Sequence, residues 1–324
     1  MIELAELRVF VAAAEERSFS RAGTRLHLSQ SAISQNIQGL EKAFGVSLFV
    51  RHGRSVWLSE AGQALLPLAK DVLNASRLME EAMNNLQSQI VGELVIGCST
   101  TSGKYLLPTL VALYRREYPM VKVKFSILQR EEVLQRLLGE DEEGCITIGM
   151  VSRHIDHQHI DLQPFFEDRV VLIIPPNHPW KNYGKALPAD LLDQTIILGE
   201  PETGTTELLL EGLAQHGISK EMLNSPLEIS NTEAAVFSVE AGIGVAFVSE
   251  LAAAHALALG RIRSVEIEGL DLHRTIYLAR NTQRPLSRAQ ERFWSFAQEQ
   301  RDHLARIMCD PYDSPFQPGL SIES

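Results

Sequence analysis

The sequence predicts a mixed α/β chain: an N-terminal winged helix-turn-helix, a long linker helix and a two-lobed α/β domain. Three observations predict it. Residues 18–62 place two short helices, a tight turn and a basic hairpin in succession. Residues 59–89 are rich in helix formers, with apolar positions three and four apart. From residue 92 onward, strand-like runs alternate with helix-like ones. The divisions that follow are 1–58, 59–89, 90–306 and a tail at 307–324.

The first helix is amphipathic on Leu4, Leu7, Val11 and Ala14. A second, capped by Ser18 or Ser20, buries Ala22 and Leu26, and His27-Leu28 turns the chain into a third. Ser29 is a good N-cap for that third helix, because its oxygen can accept a hydrogen bond from a backbone N–H that has no helical partner. Ile33, Ile37 and Leu40 then share one face, and Ser31, Ser34, Gln35 and Gln38 share the other. Short hydroxyl and amide side chains can meet base edges or phosphates in a major groove without burying a charge, so this is a candidate recognition face. Gly45 ends the helix, and Leu48-Phe49-Val50 and Val56-Trp57-Leu58 flank a basic tip at Arg51-His52-Gly53-Arg54, as in a wing. Between Arg17 and Arg54 lie six Lys or Arg residues and one carboxylate, Glu41, in a chain of formal charge −11. Such a local reversal is the footprint of phosphate binding.

These residues resemble the LysR-type bacterial transcriptional regulators. The resemblance runs from Leu7-x-x-Phe10 through Ser18-Phe19-Ser20-x-Ala22, Leu28-Ser29-Gln30-Ser31-Ala32-Ile33-Ser34, Ile37, Leu40-Glu41, Gly45-Val46-x-Leu48-Phe49-x-Arg51 and Leu58-Ser59-x-Ala61-Gly62. Ser31 replaces a frequent proline, Gly23 a usual alanine, and Gln35 a common arginine or lysine, so readout at Gln35 shifts toward the amide pairing that suits adenine. The resemblance implies sequence-specific binding to double-stranded DNA through Ser20, Arg21, Gln30, Ser31, Ser34, Gln35, Gln38, Arg51 and Arg54. It also implies a small-molecule effector, a dimer through 59–89 that pairs into a tetramer, and leaves RNA polymerase open as a further partner. A soluble small-molecule receptor or binding enzyme with an N-terminal dimerisation module is the alternative.

In the long helix Ala69, Val72, Ser76, Met79, Met83 and Leu86 form a heptad seam that one helix cannot bury alone, and Pro67 is expected to kink the helix before it. Beyond 90–92 come strands at 92–98, 121–127 and 145–151 with helices from about Lys104 to Tyr118 and near 130–139. A second run follows, with strands at 170–175, 195–199, 226–230, 244–249 and 262–267, then a strand at 273–279 and a helix from Pro285 to about Arg306. By the family comparison that last pair returns to the first lobe. Lobe I is then 90–165 with 269–306 and lobe II is 166–268, a hinged clamp of periplasmic-binding-protein type. The Pro-, Ser- and Gly-rich tail has no periodicity and is expected to be disordered.

Ligands of such sheets gather where strands lead into helix N-termini, whose free N–H groups favour anions. Four hydroxyl-rich junctions qualify, two in each lobe: Ser99, Thr100, Thr101 and Ser102; Ser152; Thr203 and Thr205; Asn231 and Thr232. Each residue alone is also an ordinary helix cap. Together they resemble the family's effector site, and the surrounding segments look most like regulators of carbon fixation and of sulfur or nitrogen assimilation.

Other chemistry fits less well. His154, His157 and His159 with Asp156 and Asp161 have no spacing that converges metal ligands, so a solvated loop suits them better. Cys98 reads as an apolar filler, without the paired cysteines of the family's peroxide sensors. Three scattered cysteines make no disulfide framework. Gly242-Ile243-Gly244 precedes a strand instead of following one, so a dinucleotide loop fails. No cofactor or catalytic triad can be argued, and no enzyme is expected. The N-terminus leads straight into an amphipathic helix and no apolar run reaches membrane-spanning length, so a cytoplasmic protein is expected.

Overall fold

The computed structural model describes residues 2–52, 55–84, 90–139, 145–182, 185–201 and 203–309. Residues 310–324, expected to be disordered, lie outside them, whereas residues 307–309, assigned to the flexible tail, belong to the last helix. Helices α1 (Leu4–Glu16), α2 (Phe19–Leu26) and α3 (Gln30–Phe44) precede a two-stranded wing, β1 (Phe49–His52) antiparallel to β2 (Ser55–Leu58). Ser18 is the cap of α2, accepting from the Arg21 amide, and His27 closes that helix in a left-handed conformation. Gly23 is more than a weak helix former here, since a Cβ would fall 2.6 Å from the Leu28 carbonyl oxygen. Phe10, Ala13, Ala22, Ile33, Ile37 and Leu40 form the core of the unit.

Helix α4 (Glu60–Asn84) runs on through Pro67. Its first turns belong to the N-terminal core through Leu66 and Ala69. Ala69, expected on the seam, is 1% exposed, because the helix spends that face on α1 before it leaves the unit. The exposed apolar stripe is carried by Leu68, Val72, Met79 and Met83. Leu86 lies outside the described residues.

A ten-stranded sheet carries the rest, in the order β4 (Val121–Ile127), β3 (Gly92–Cys98), β5 (Ile148–Val151), β12 (His273–Asn281), β6 (Ile160–Ile174), β10 (Val245–Ser249), β8 (Thr195–Leu198), β9 (Asn224–Glu228). Strand β11 (Arg263–Ile267) also pairs with β6, and with the short β7 (Lys185–Ala186). Helices α5 (Leu107–Glu117), α6 (Arg130–Leu138) and α10 (Arg288–Cys309) accompany lobe I, and α7 (Gly204–Ala214), α8 (Thr232–Glu240) and α9 (Glu250–Ala258) accompany lobe II.

Strand β6 departs from expectation, since it begins at Ile160, well before the predicted run at 170–175. Its first half pairs with β12 from Ile160 to Arg169 and its second half with β10 and β11, so one strand crosses from lobe to lobe. Asp161, Gln163 and Pro164 break the apolar run over 160–164, which hid it. Strand β5 is shorter than its predicted run at 145–151. The helix expected from Lys104 starts at Thr100 and contains a π-turn, Ser102–Leu106, before α5. The last helix, α10, packs on α5 and β3, where Tyr114 donates to the Ala289 carbonyl at 2.7 Å and meets Phe293 and Phe296 edge-on. Among the described residues no helix is long and apolar enough to cross a membrane.

Candidate DNA-binding face and effector cleft

On α3 the Ser29 hydroxyl accepts from the Ala32 amide at 3.2 Å, and Ile33, Ile37 and Leu40 turn inward. Gln30, Ser31, Gln35 and Gln38 are exposed, Ser34 is half-buried, and Ser20 and Arg21 are exposed at the start of α2. Ser31 lies 2.9 Å from the Ser29 hydroxyl, so it supports the cap as well as facing outward. The local charge is less one-sided than a count starting at Arg17 suggests. Arg25 pairs with Glu15 at 2.7 Å and Arg21 with Glu16 at 3.7 Å, two carboxylates that precede that window. Arg17 stacks over the Trp57 ring at 4.6 Å and so joins the wing to the helices. Arg51 stands on β1, and Arg54 lies outside the described residues.

Between the lobes is a cavity of about 150 Å³. Ser99, Thr100, Thr101, Ser152, Thr203, Thr205 and Thr232 all line it, from both sides. Two of the expected residues do not. Ser102 is fully buried with its hydroxyl 2.6 Å from that of Ser99, because the π-turn rotates it inward. Asn231 is used as the cap of α8, accepting from the Ala234 amide at 2.9 Å. Thr203 caps α7 in the same way, accepting from the Thr206 amide at 3.4 Å. The cavity therefore receives helix N-termini from both lobes, which favour negative charge.

Sequence reasoning missed Arg274 and Asp168, register partners on β12 and β6. Arg274 lines the cavity. Its Nε donates to Asp168 at 2.8 Å, Nη1 to Thr205 at 3.1 Å and Nη2 to Thr101 at 2.9 Å, while Ser249 donates to the other Asp168 oxygen at 2.6 Å. One guanidinium thus touches both lobes. The signal available was a pair of charged residues inside otherwise strand-like runs.

Two ion-pair groups span the cleft. Lys104 and Tyr105 from lobe I both meet Glu233 on α8, Tyr105 at 2.8 Å, and Arg153 meets Glu207 at 2.8 Å and Glu211 at 2.6 Å on α7. Burial pushes the Glu233 carboxyl up, but hydrogen bonds from Lys104 and Tyr105 outweigh it and hold it below the usual range. Burial, then the Glu233 hydrogen bond, raises the Tyr105 phenol. Cys98 is buried and its thiol is pushed up to about 12, which makes it inert. His157 and His159 meet edge-on at 5.5 Å, and among the described residues no group of three or more potential ligands could hold a metal.

Comparison with known proteins assigns the architecture. The lysR family of bacterial regulatory helix-turn-helix proteins matches residues 4–63, and the LysR substrate binding domain matches residues 87–302. The chain belongs to the LysR family of transcriptional regulators. A probable RuBisCO transcriptional regulator of Cyanidioschyzon merolae is 34% identical over 88% of this chain and 94% of its own. An uncharacterized HTH-type transcriptional regulator of Methanocaldococcus jannaschii is 31% identical over 91% and 98%. A full-length OxyR variant from Pseudomonas aeruginosa has the same fold, with a TM-score of 0.70 at 23% identity over 94% of this chain and 97% of that one. CbnR, a LysR family regulator, superposes with a TM-score of 0.64 at 21% identity over 92% and 99%.

The Glu233 clamp has a testable consequence. Glu233 is 39% exposed at its side chain, so solvent screening limits the pair to about 1 kcal/mol or less. Glu233→Gln is expected to speed amide exchange in α8 up to about fivefold, the equivalent of that energy, with a smaller effect at high salt. Because the folded carboxyl is depressed, the contribution is present at neutral pH and is lost as pH falls from the ordinary 4.5 through the lower folded value. Hydrogen-exchange mass spectrometry across pH and salt checks both.

Proposed function

We propose that this LysR-type regulator binds a small anionic metabolite between its lobes and converts that binding into altered contacts with operator DNA. The observation that carries the reading is the convergence on one cavity of helix N-termini from both lobes, threonine and serine hydroxyls and the Arg274 guanidinium. The cavity's size suits a ligand of a few heavy atoms, being below the usual range of about 300 to 1,000 Å³ for drug-sized ligands. The names of the relatives support genes of carbon fixation as targets. Ser20, Arg21, Gln30, Ser31, Ser34, Gln35 and Gln38, with Arg51 and Arg54 of the wing, form the DNA-reading set. The stripe of Leu68, Val72, Met79 and Met83 on α4 pairs with the same stripe of a second copy, and dimers associate further into a tetramer. Recognition helices of a dimer then reach successive major grooves, about 34 Å apart. The protein acts in the cytoplasm, with RNA polymerase as a partner where it activates.

A thermal-shift screen against sugar phosphates, dicarboxylates, sulfur and nitrogen oxyanions and aromatic acids tests the cleft. A true effector at about 100 times its Kd stabilises by about 2.7 kcal/mol, and Thr100→Ala or Thr203→Ala is expected to reduce that shift while basal DNA binding stays. Equal loss of both functions would count against the cleft. For DNA, Arg51→Ala with Arg54→Ala is expected to flatten the log–log salt dependence of binding by about 2 for each wing on the DNA, about 4 for a bound dimer, read by fluorescence anisotropy, since each phosphate contact contributes about 0.9. Val72→Glu with Met79→Glu is expected to yield monomers in sedimentation velocity, and a persisting dimer would remove the stripe from the interface.

A further inference from the structure

The wing is a two-stranded sheet, and a lone hairpin is only marginally stable in water. Phe49 seats it on the helices, packing against Phe10 and Phe19 with ring centroids 5.6 and 5.4 Å apart. Apolar burial is non-directional, so this contact alone does not set the angle of the wing.

Hydrogen bonds set it. Glu41, half-buried on the recognition helix α3, accepts from the Leu48 amide at 2.7 Å and from the Phe49 amide at 3.4 Å through one carboxylate oxygen. A charged acceptor makes short, strong and directional bonds. The carboxylate thereby spans the turn at Gly45, where α3 ends in a left-handed conformation and the chain heads into β1. The second strand is tied from the other side, since the Val56 amide donates to the Arg17 carbonyl at 3.2 Å and the Arg17 guanidinium covers Trp57.

We propose that Glu41 is a positioning residue for DNA binding. It fixes the first strand of the wing relative to the recognition helix so that, given the wing contacts of the proposed function, Arg51 and Arg54 meet phosphates as α3 enters the major groove. Charge alone gives Glu41 the opposite role. It is the one carboxylate between Arg17 and Arg54, and a carboxylate near a phosphate backbone repels it. A carboxylate that opposes DNA by charge, yet is spent on two backbone amides of the wing, acts through geometry.

Two variants separate reach from charge. Glu41→Asp keeps the charge on a side chain one methylene shorter, and Glu41→Gln gives up the charge but keeps an acceptor oxygen at the same reach. The probe is a labelled DNA duplex selected by the wild-type chain from a random pool, with binding of the full chain read by anisotropy across salt. Glu41→Asp is expected to weaken binding several-fold and to flatten the log–log salt slope by up to the wing's share, about 2 for each wing on the DNA. It is expected to add no further loss to Arg51→Ala with Arg54→Ala. Glu41→Gln is expected to restore the wild-type slope. Partial unfolding lowers the active fraction without changing the slope, so the slope separates position from stability. A wild-type slope and affinity in Glu41→Asp overturns the proposal, as does a loss that adds to that of the arginine pair or an equal flattening in Glu41→Gln. If the arginine pair itself leaves the slope unchanged, the wing contacts fall and this role falls with them.

Discussion

A guanidinium buried against a carboxylate, where two long strands cross between the lobes, is the constraint that orders the effector domain. Arg274 and Asp168 are 7% and 0% exposed at their side chains. Neither charge could be left in that environment alone, since breaking a buried pair costs about 3 to 5 kcal/mol. The strands must therefore hold the register that brings them together, and β6 and β12 do so over their shared length. Fixing that register also fixes where Thr101 of lobe I and Thr205 of lobe II stand, because both accept from the same guanidinium.

The periphery of the cleft is built differently. Glu233, Lys104, Arg153, Glu207 and Glu211 keep side chains that are 26% to 60% exposed, so their ion pairs are screened and individually weak. A strong centre with weak edges makes a hinge. The strands that cross between lobes resist separation, whereas the outer contacts can be exchanged for water at little cost.

Legibility in the sequence followed how local each cause was. The Ser29 cap, the inward Ile33, Ile37 and Leu40, and Gly45 all act within one helix, and the pattern showed them. Seven of the nine residues expected at the cleft line the cavity, because hydroxyls at strand-to-helix junctions have a local reason to be there. Ser102 was misplaced because a π-turn shifts the helix face by a residue, and no sequence period announces that. Arg274 and Asp168 stayed hidden because their meaning lies in a pairing 106 residues apart. The charge near α2 was overcounted for a related reason, since Glu15 and Glu16 fold back on Arg21 and Arg25 from the preceding helix.

Weak edges also bear on how binding in the cleft could reach DNA. Allosteric coupling of about 1 to 3 kcal/mol is enough to change affinity roughly five- to 150-fold. That range is comparable to a few screened ion pairs at about 0 to 1 kcal/mol each, so an anion that adds contacts on both sides of the cleft can reset the balance between lobe arrangements without breaking the Arg274–Asp168 centre. Lobe I is the side that touches α4, through Arg284 and Asp71. On the proposed reading, a shift of lobe II relative to a lobe I tied to α4 by that pair would leave each DNA-binding unit intact and alter the outer surface presented to a neighbouring copy. A ligand in the cleft would then act on how copies sit together more than on the shape of the recognition helix.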